Sequence, residues 1–196
     1  MLKFRVTIEG TSPLLMNKAS IEVEGEAKPK KRVQPWLDGQ AKRNWMESAY
    51  YENGMFVVPA PCLDAMMRQG AKRVRGLVER FKWGVSVEEA FVPLLVMQGG
   101  KWKPLEGEVE SFYIKEYIDL RPAIVPPGPR GKKINRCRPR FNLWSCSFHV
   151  LVEDSADIDE ERKVTEQEVR DSLTRNSLMG YRPYYGRFKV VEFKAA

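Results

Sequence analysis

Long apolar runs are missing from this chain. No stretch of about 18 consecutive apolar residues occurs, which is the least a membrane-crossing helix needs. The longest apolar stretches, Phe91–Met97 and Phe148–Val152, have the length of strands. The opening Met1-Leu2-Lys3-Phe4-Arg5 alternates at once into polar residues and carries no leader-peptide core. The expectation is therefore an intracellular, cytoplasmic protein with no membrane partner. Cysteine is scarce. Cys62, Cys137 and Cys146 lack metal-ligand spacing, and an odd number in an intracellular chain argues for reduced thiols over a disulfide framework. Histidine is scarcer still, with His149 alone. The sequence has no phosphate-cradling P-loop, no dinucleotide fingerprint and no zinc spacing. No cofactor and no metal site are expected on these grounds.

Catalytic chemistry has few carriers. His149 falls inside a strand-like segment, where alternation sets it opposite Cys146, Phe148 and Val150. Cys62 starts a helix, and a helix N-terminus can lower a thiol pKa. The one histidine is remote in sequence, so a Cys–His nucleophile has little support. Asp154, Asp157, Asp159, Glu160 and Glu161 read as a solvated connector.

What the chain does contain is enough for a core. It has 196 residues, 43% hydrophobic and 30% charged. That composition excludes a wholly disordered chain and suits one substantial domain. Lysine and arginine total 33 against 26 acids, a formal charge of +7. Such an excess favours an acidic partner.

Residues 2–9 alternate cleanly, with Leu2, Phe4, Val6 and Ile8 on one side. This is a strand with one buried face. Residues 17–39 read as a projecting polar loop, 40–51 as a short helix and Met55–Val58 as a short strand. Pro59-Ala60-Pro61 opens a helix, whose apolar stripe runs through Leu63, Met66, Met67, Gly70, Ala71, Val74 and Val78. Phe91–Gln98 reads as a buried strand, Val109–Val125 as two strand pieces or one long hairpin arm, 126–139 as a loop and Arg140–Val152 as a strand. Thr165-Glu166-Gln167-Glu168 has the spacing of a capping box, which predicts a helix over 165–178 and a last strand over 187–193. The order of strand 2–9, helix 60–78, strand 91–98, strand 140–152, helix 165–178 and strand 187–193 is βαββαβ. That predicts an α+β, ferredoxin-like (RRM-like) core in a single domain, 1–196. Residues 10–55 would form a thumb-like arm on it, and 99–139 a β-hairpin and basic loop.

The strongest functional feature is Arg121–Arg140. It holds Arg121, Arg130, Lys132, Lys133, Arg136, Arg138 and Arg140 and no acid. In a loop these cations can converge on a run of phosphates. Phe141 and Trp144, with Trp36 and Trp45, are candidates for stacking on bases. A second basic cluster, Arg68, Lys72, Arg73 and Arg75, lies on one helix face. A third, Lys28, Lys30, Lys31 and Arg32, sits in the arm. Between Gly180 and Phe188, Tyr181, Arg182, Tyr184, Tyr185 and Arg187 offer stacking and phosphate contacts.

Three of these segments resemble the RAMP superfamily, the CRISPR-associated proteins that include guide-RNA-binding backbone subunits. Phe4–Leu14 is similar to the family's first strand and turn. Gly54–Arg68 is similar to its strand, proline, small residues and arginine-ended helix. Gly180…Arg182…Tyr185-Gly186-Arg187-Phe188 resembles its late glycine-containing loop. A phage or mobile-element protein on the same fold matches the pattern equally. The resemblance implies RNA or single-stranded DNA binding by a modified RRM-like domain, with head-to-tail self-association. For the aspartate of RNA-cleaving members, Asp38 is the nearest counterpart.

Three functions follow as expectations. The first is a non-catalytic, single-stranded nucleic-acid-binding protein that self-associates along the strand. The second is a RAMP-type endoribonuclease using His149 or Asp38. The third is a structural or inhibitory protein whose basic loops grip an acidic protein.

Overall fold

The structure, a computed structural model, describes residues 1–18, 39–125, 132–154, 162–174, 176–180 and 184–196, with backbone alone at 122–125 and 132–135. Within it the chain is mixed α+β, and its strand pairs are antiparallel. The predictions for Lys28, Lys30, Lys31, Arg32, Trp36, Asp38, Arg130, Tyr181 and Arg182 lie outside the described residues.

Strand β1 (Leu2–Gly10) has the expected period of two. Phe4, Val6 and Ile8 are buried, while Arg5 is exposed and Thr7 and Glu9 half-buried. It lies between β11 (Trp144–Val152) and β12 (Phe188–Ala195), in register from Leu2↔Val152 to Glu9↔Ser145 on one side. On the other side Phe4 faces Ala195 and Gly10 faces Phe188, with a register shift between Thr7 and Ile8. Beyond β11 come β7 (Leu95–Gln98) and β8 (Lys101–Pro104). The short β5 (Val85–Val87) pairs with the far end of β11.

The buried face of this sheet carries Phe4, Val6, Ile8, Cys146, Phe148 and Val150. It shares one apolar core with Leu63, Met66 and Met67 of α2 (Ala60–Ala71) and with Val169 and Leu173 of α4 (Glu166–Leu173). The predicted capping box is present. Thr165 Oγ1 accepts from the Glu168 N–H, and the Glu168 carboxylate accepts from the Thr165 N–H. Arg80 also donates to that carboxylate, tying α3 (Leu77–Gly84) to the start of α4.

Helices α2 and α4 approach so closely that only glycine fits at position 70. A Cβ there would lie 1.8 Å from the Ser172 carbonyl oxygen. That neighbour is backbone and cannot rotate away, so Gly70→Ala must push the helices apart. Overpacking of this kind costs about 1–3 kcal/mol, and the upper end is expected here. Urea unfolding of Gly70→Ala should show the lower midpoint.

Several expected elements are cut differently. The helix over 60–78 is two helices, because Gly76 takes a left-handed backbone at φ 80° before α3. The strand over 91–98 is also two. β6 (Phe91–Pro93) pairs with β4 (Met55–Pro59), and β4 pairs with β3 (Tyr51–Glu52). Leu94 then donates to the Phe56 carbonyl at 2.9 Å, and the chain leaves that small sheet to enter the main one as β7. The helix over 165–178 stops at Leu173. Asn176 Nδ2 donates to the Met66 and Ser172 carbonyls, and Leu178 N–H donates to Gly186, so tertiary bonds replace the helical ones.

The 99–139 region is not a loop at its C-terminal end. Two 3-10 turns, Val109–Phe112 and Lys115–Tyr117, lead into β9 (Ile118–Val125), which pairs with β10 (Lys132–Phe141). β10 also pairs with β2 (Leu14–Leu15) and packs against α1 (Gly39–Glu47). Among the described residues no helix is long and apolar enough to cross a membrane.

Candidate nucleic-acid interface

The expectation that 126–139 is a loop is corrected at Arg136 and Arg138, which lie on a strand, as does Arg140. A strand turns successive side chains to opposite faces. Cys137 and Phe141 are buried in the core, so Arg136, Arg138 and Arg140 share the other face of β10. Cross-strand register adds to it, since Arg136 stands opposite Arg121 and Arg138 opposite Asp119. Strand pairing, not loop closure, gathers these four arginines. Lys132 and Lys133 also lie on β10.

This face holds one acid that lies just ahead of the basic stretch in sequence. Asp119 Oδ2 accepts from Arg121 Nε at 2.9 Å and Nη2 at 2.7 Å. The Arg121 guanidinium also sits over the Tyr185 ring, 4.5 Å from its centroid. That cation–π contact brings the 184–187 segment beside the hairpin. The same segment is pinned by Gly186 N–H to the Pro13 carbonyl and by Thr11 N–H to the Arg187 carbonyl, at 2.8 and 2.7 Å. Leu15, opposite Arg140 in β2, accepts from Gly180 N–H. Hairpin, β2 and closing turn thus form one continuous surface.

Within it the side chains differ in availability. Arg136 is half-buried, Arg187 exposed and Tyr184 76% exposed. Arg138 is covered, at 6% exposure. Arg140 is half-buried, and its Nε is buried with no hydrogen-bond partner among the described residues.

The aromatic expectations are corrected. Trp144 is fully buried, and its Nε1 donates to the Ser12 carbonyl at 2.8 Å. Trp45 is buried with Nε1 on the Tyr117 carbonyl, and Phe141 is buried beside Phe56. None of these rings offers a face to a base.

The helix-face cations Arg68, Lys72 and Arg73 are not brought to this surface. α2 packs against α3, α4, β4 and β5, whereas β10 packs against α1, β2 and β9. Arg73 donates to the Thr174 carbonyl at 2.8 Å, at the end of α4. Lys72 is exposed, and Arg68 lies near Asp64.

The open face of the main sheet is charged but balanced. Lys3 pairs with Glu88, Arg5 and Lys194 with Glu192, and Lys189 with Glu9. Trp102 Nε1 also donates to Glu9. His149 lies on this face with its Nδ1 2.7 Å from Glu89 Oε1. Burial raises the Glu89 carboxyl pKa, but the hydrogen bonds from the His149 N–H and ring outweigh it and hold the group below its ordinary range. Burial pushes the Cys137 and Cys146 thiols up, away from nucleophilic use. Half-buried Cys62 neighbours Tyr50, whose phenol is pushed up to about 12 by burial and by that thiol.

Asp119, Glu88 and Glu89 escaped the sequence reading. Asp119 lies outside the basic stretch by two residues, and Glu89 is 60 residues from the histidine it meets. Cross-strand register was the missing signal. No family model matches the chain, and no curated protein matches it significantly.

Proposed function

We propose that the chain binds single-stranded nucleic acid, RNA or DNA, without cutting it. Binding uses the β10 face with Arg121, Arg136 and Arg140, extended by Tyr184 and Arg187. The observation that carries this reading is the register of β9 against β10, which with the alternation along β10 sets Arg121, Arg136 and Arg140 on one face, where Arg121 pairs with Asp119. Phosphates supply the charge that such a face lacks, and the half-buried guanidinium groups of Arg121, Arg136 and Arg140 keep surface from which a phosphate oxygen can accept. Exposed Tyr184, next in sequence to the Tyr185 ring that Arg121 covers, suits a base that is not stacked in a duplex.

We also propose that the core is ferredoxin-like. Taking β1, α2, β7, β11, α4 and β12 in chain order gives βαββαβ. The sheet order β12-β1-β11-β7 is then fourth, first, third, second, with antiparallel neighbours throughout. This supports the RAMP resemblance without depending on the nucleic-acid reading. Self-association along the strand belongs to the same proposal.

The test is fluorescence anisotropy with labelled oligonucleotides of about 30 nucleotides, longer than the roughly 4–16 covered by a typical single-strand module. Single-stranded RNA, single-stranded DNA and duplex are compared from about 50 to about 200 mM salt. Micromolar or tighter binding that falls with salt and prefers single strands is expected. Absence of binding at the lowest salt would remove this function.

A further inference from the structure

The open face of the main sheet carries a cluster that nucleic-acid binding leaves unused. His149 is the chain's one histidine, and its side chain is 31% exposed near the middle of β11. The connection from β5 to β6 brings Glu88 and Glu89 against it. His149 Nδ1 lies 2.7 Å from Glu89 Oε1 and 3.5 Å from Glu88 Oε2. One donor atom from each residue falls within 4.8 Å of the other two.

Backbone bonds hold the three together in both directions. Glu88 N–H donates to the His149 carbonyl at 3.0 Å. His149 N–H donates to the two Glu89 oxygens at 3.0 and 3.2 Å. The Glu88 backbone and the Glu89 carboxylate are thereby tied to the His149 main chain. The donors are presented from a sheet strand and a clamped turn, a rigid support for a small ligand.

A cation with ligands at about 2.0–2.2 Å needs its donors roughly 3.0–3.5 Å apart. The two spacings to Nδ1, 2.7 and 3.5 Å, bracket that range, and the two carboxylate oxygens lie within 4.8 Å of each other, so side-chain rotation closes the set. The imidazole separates this cluster from a group of surface acids. Magnesium and calcium take oxygen ligands, whereas one imidazole nitrogen with two carboxylates suits borderline ions of the zinc and manganese kind.

The charge also favours a dication. Two carboxylates face the imidazole, and among the described residues the cation paired with them is Lys3, 2.6 Å from Glu88 Oε2. That pair is 37% and 41% exposed, so it contributes little and separates readily. Arg5, opposite His149 in β1, is turned to Glu192.

We propose that Glu88, Glu89 and His149 form a three-ligand site for a borderline divalent metal ion, zinc in preference to manganese. The remaining coordination positions face solvent, so the ion exchanges and holds with micromolar affinity. Lys3 occupies the place of a competing cation.

The lone histidine makes the test direct. Chelator-treated full-length protein is titrated with zinc chloride while the imidazole resonances are followed by NMR, and calorimetry gives the stoichiometry. One ion per chain is expected, with the histidine signals shifting in step with the calorimetric isotherm. Manganese should broaden the same signals at higher concentration, and magnesium should leave them unmoved. His149→Ala and Glu89→Gln, checked for folding by circular dichroism, should each weaken binding by at least about tenfold. Lys3→Ala should tighten it by roughly twofold to fivefold. Histidine signals that stay put while zinc binds would assign the ion to a cysteine and overturn the proposal. Absence of zinc binding, or a magnesium response equal to that of zinc, would overturn it as well.

Discussion

Reversing two charges, with Arg136→Glu and Arg140→Glu combined, is expected to lower affinity for single-stranded RNA by about 100-fold near 100 mM salt. Both side chains lie on one face of β10, on the side away from buried Cys137 and Phe141. Each substitution removes one cation and adds one anion, so the face loses its charge excess. The salt slope should fall too, by about 0.7 for each phosphate of a single strand that the protein no longer neutralises. Neutral variants at the same positions should lose less affinity with a similar fall in slope. Arg68→Glu with Lys72→Glu is the matched control. It makes the same change of net charge on α2 and its C-cap, and α2 packs against other elements, so it should cost only a fewfold loss. Equal losses from both pairs would mean that total charge, not the hairpin face, governs binding. Retained affinity in the β10 variant would remove the hairpin from the interface. Urea midpoints close to that of the parent chain would show that the loss is not unfolding, since neither position belongs to the apolar core.

The part of this surface that could be read from the chain was its composition, not its form. Pro126-Pro127-Gly128-Pro129 and Gly131 punctuate the middle of the basic stretch, and such residues dominate turns. Their influence was extended too far, into Arg136–Arg140, where the alternation of arginines with Cys137 and Pro139 already carried a strand period. Local signals fared best where they act alone. The period of two in β1 needs no distant partner to be legible, and the Thr165–Glu168 box needs only its own turn.

Features set by distant partners stayed hidden. Pro93 was compatible with one strand or two. What divides Phe91–Gln98 is the Phe56 carbonyl, which takes the Leu94 N–H and hands the chain from one sheet to another. The acids of the open sheet face are equally non-local. Glu192 meets Arg5, and Glu88 meets Lys3, across pairings no linear window contains. A basic chain can therefore hide a balanced face and an unbalanced one, and only register separates them.

Trp144 decides whether the aromatic part of the sequence reading concerned recognition or stability. Trp144→Ala is expected to destabilise the fold by about 3–5 kcal/mol, the usual range for a buried tryptophan. The ring is fully buried, edge-on to Phe188 at 6.4 Å, and lies across from Val96 in the sheet. It also fills the space above Gly10, where a Cβ would lie 2.1 Å from Nε1. Truncation would open a cavity at the junction of β1, β11 and β12, and the surrounding strands are too constrained to close it. Trp144→Phe separates packing from polarity. It keeps most of the apolar volume but leaves the Ser12 carbonyl without its donor, at a cost of about 1–3 kcal/mol. At temperatures where these variants remain folded, their affinity for single-stranded RNA should match that of the parent, because the ring has no exposed face to offer a base. Tyr184→Ala should behave the opposite way. With 76% of that residue exposed, it should leave the urea midpoint unchanged and weaken binding by about 1–3 kcal/mol. Loss of affinity without loss of stability in Trp144→Phe would return this indole to the binding surface and contradict its burial beneath the turn at Ser12.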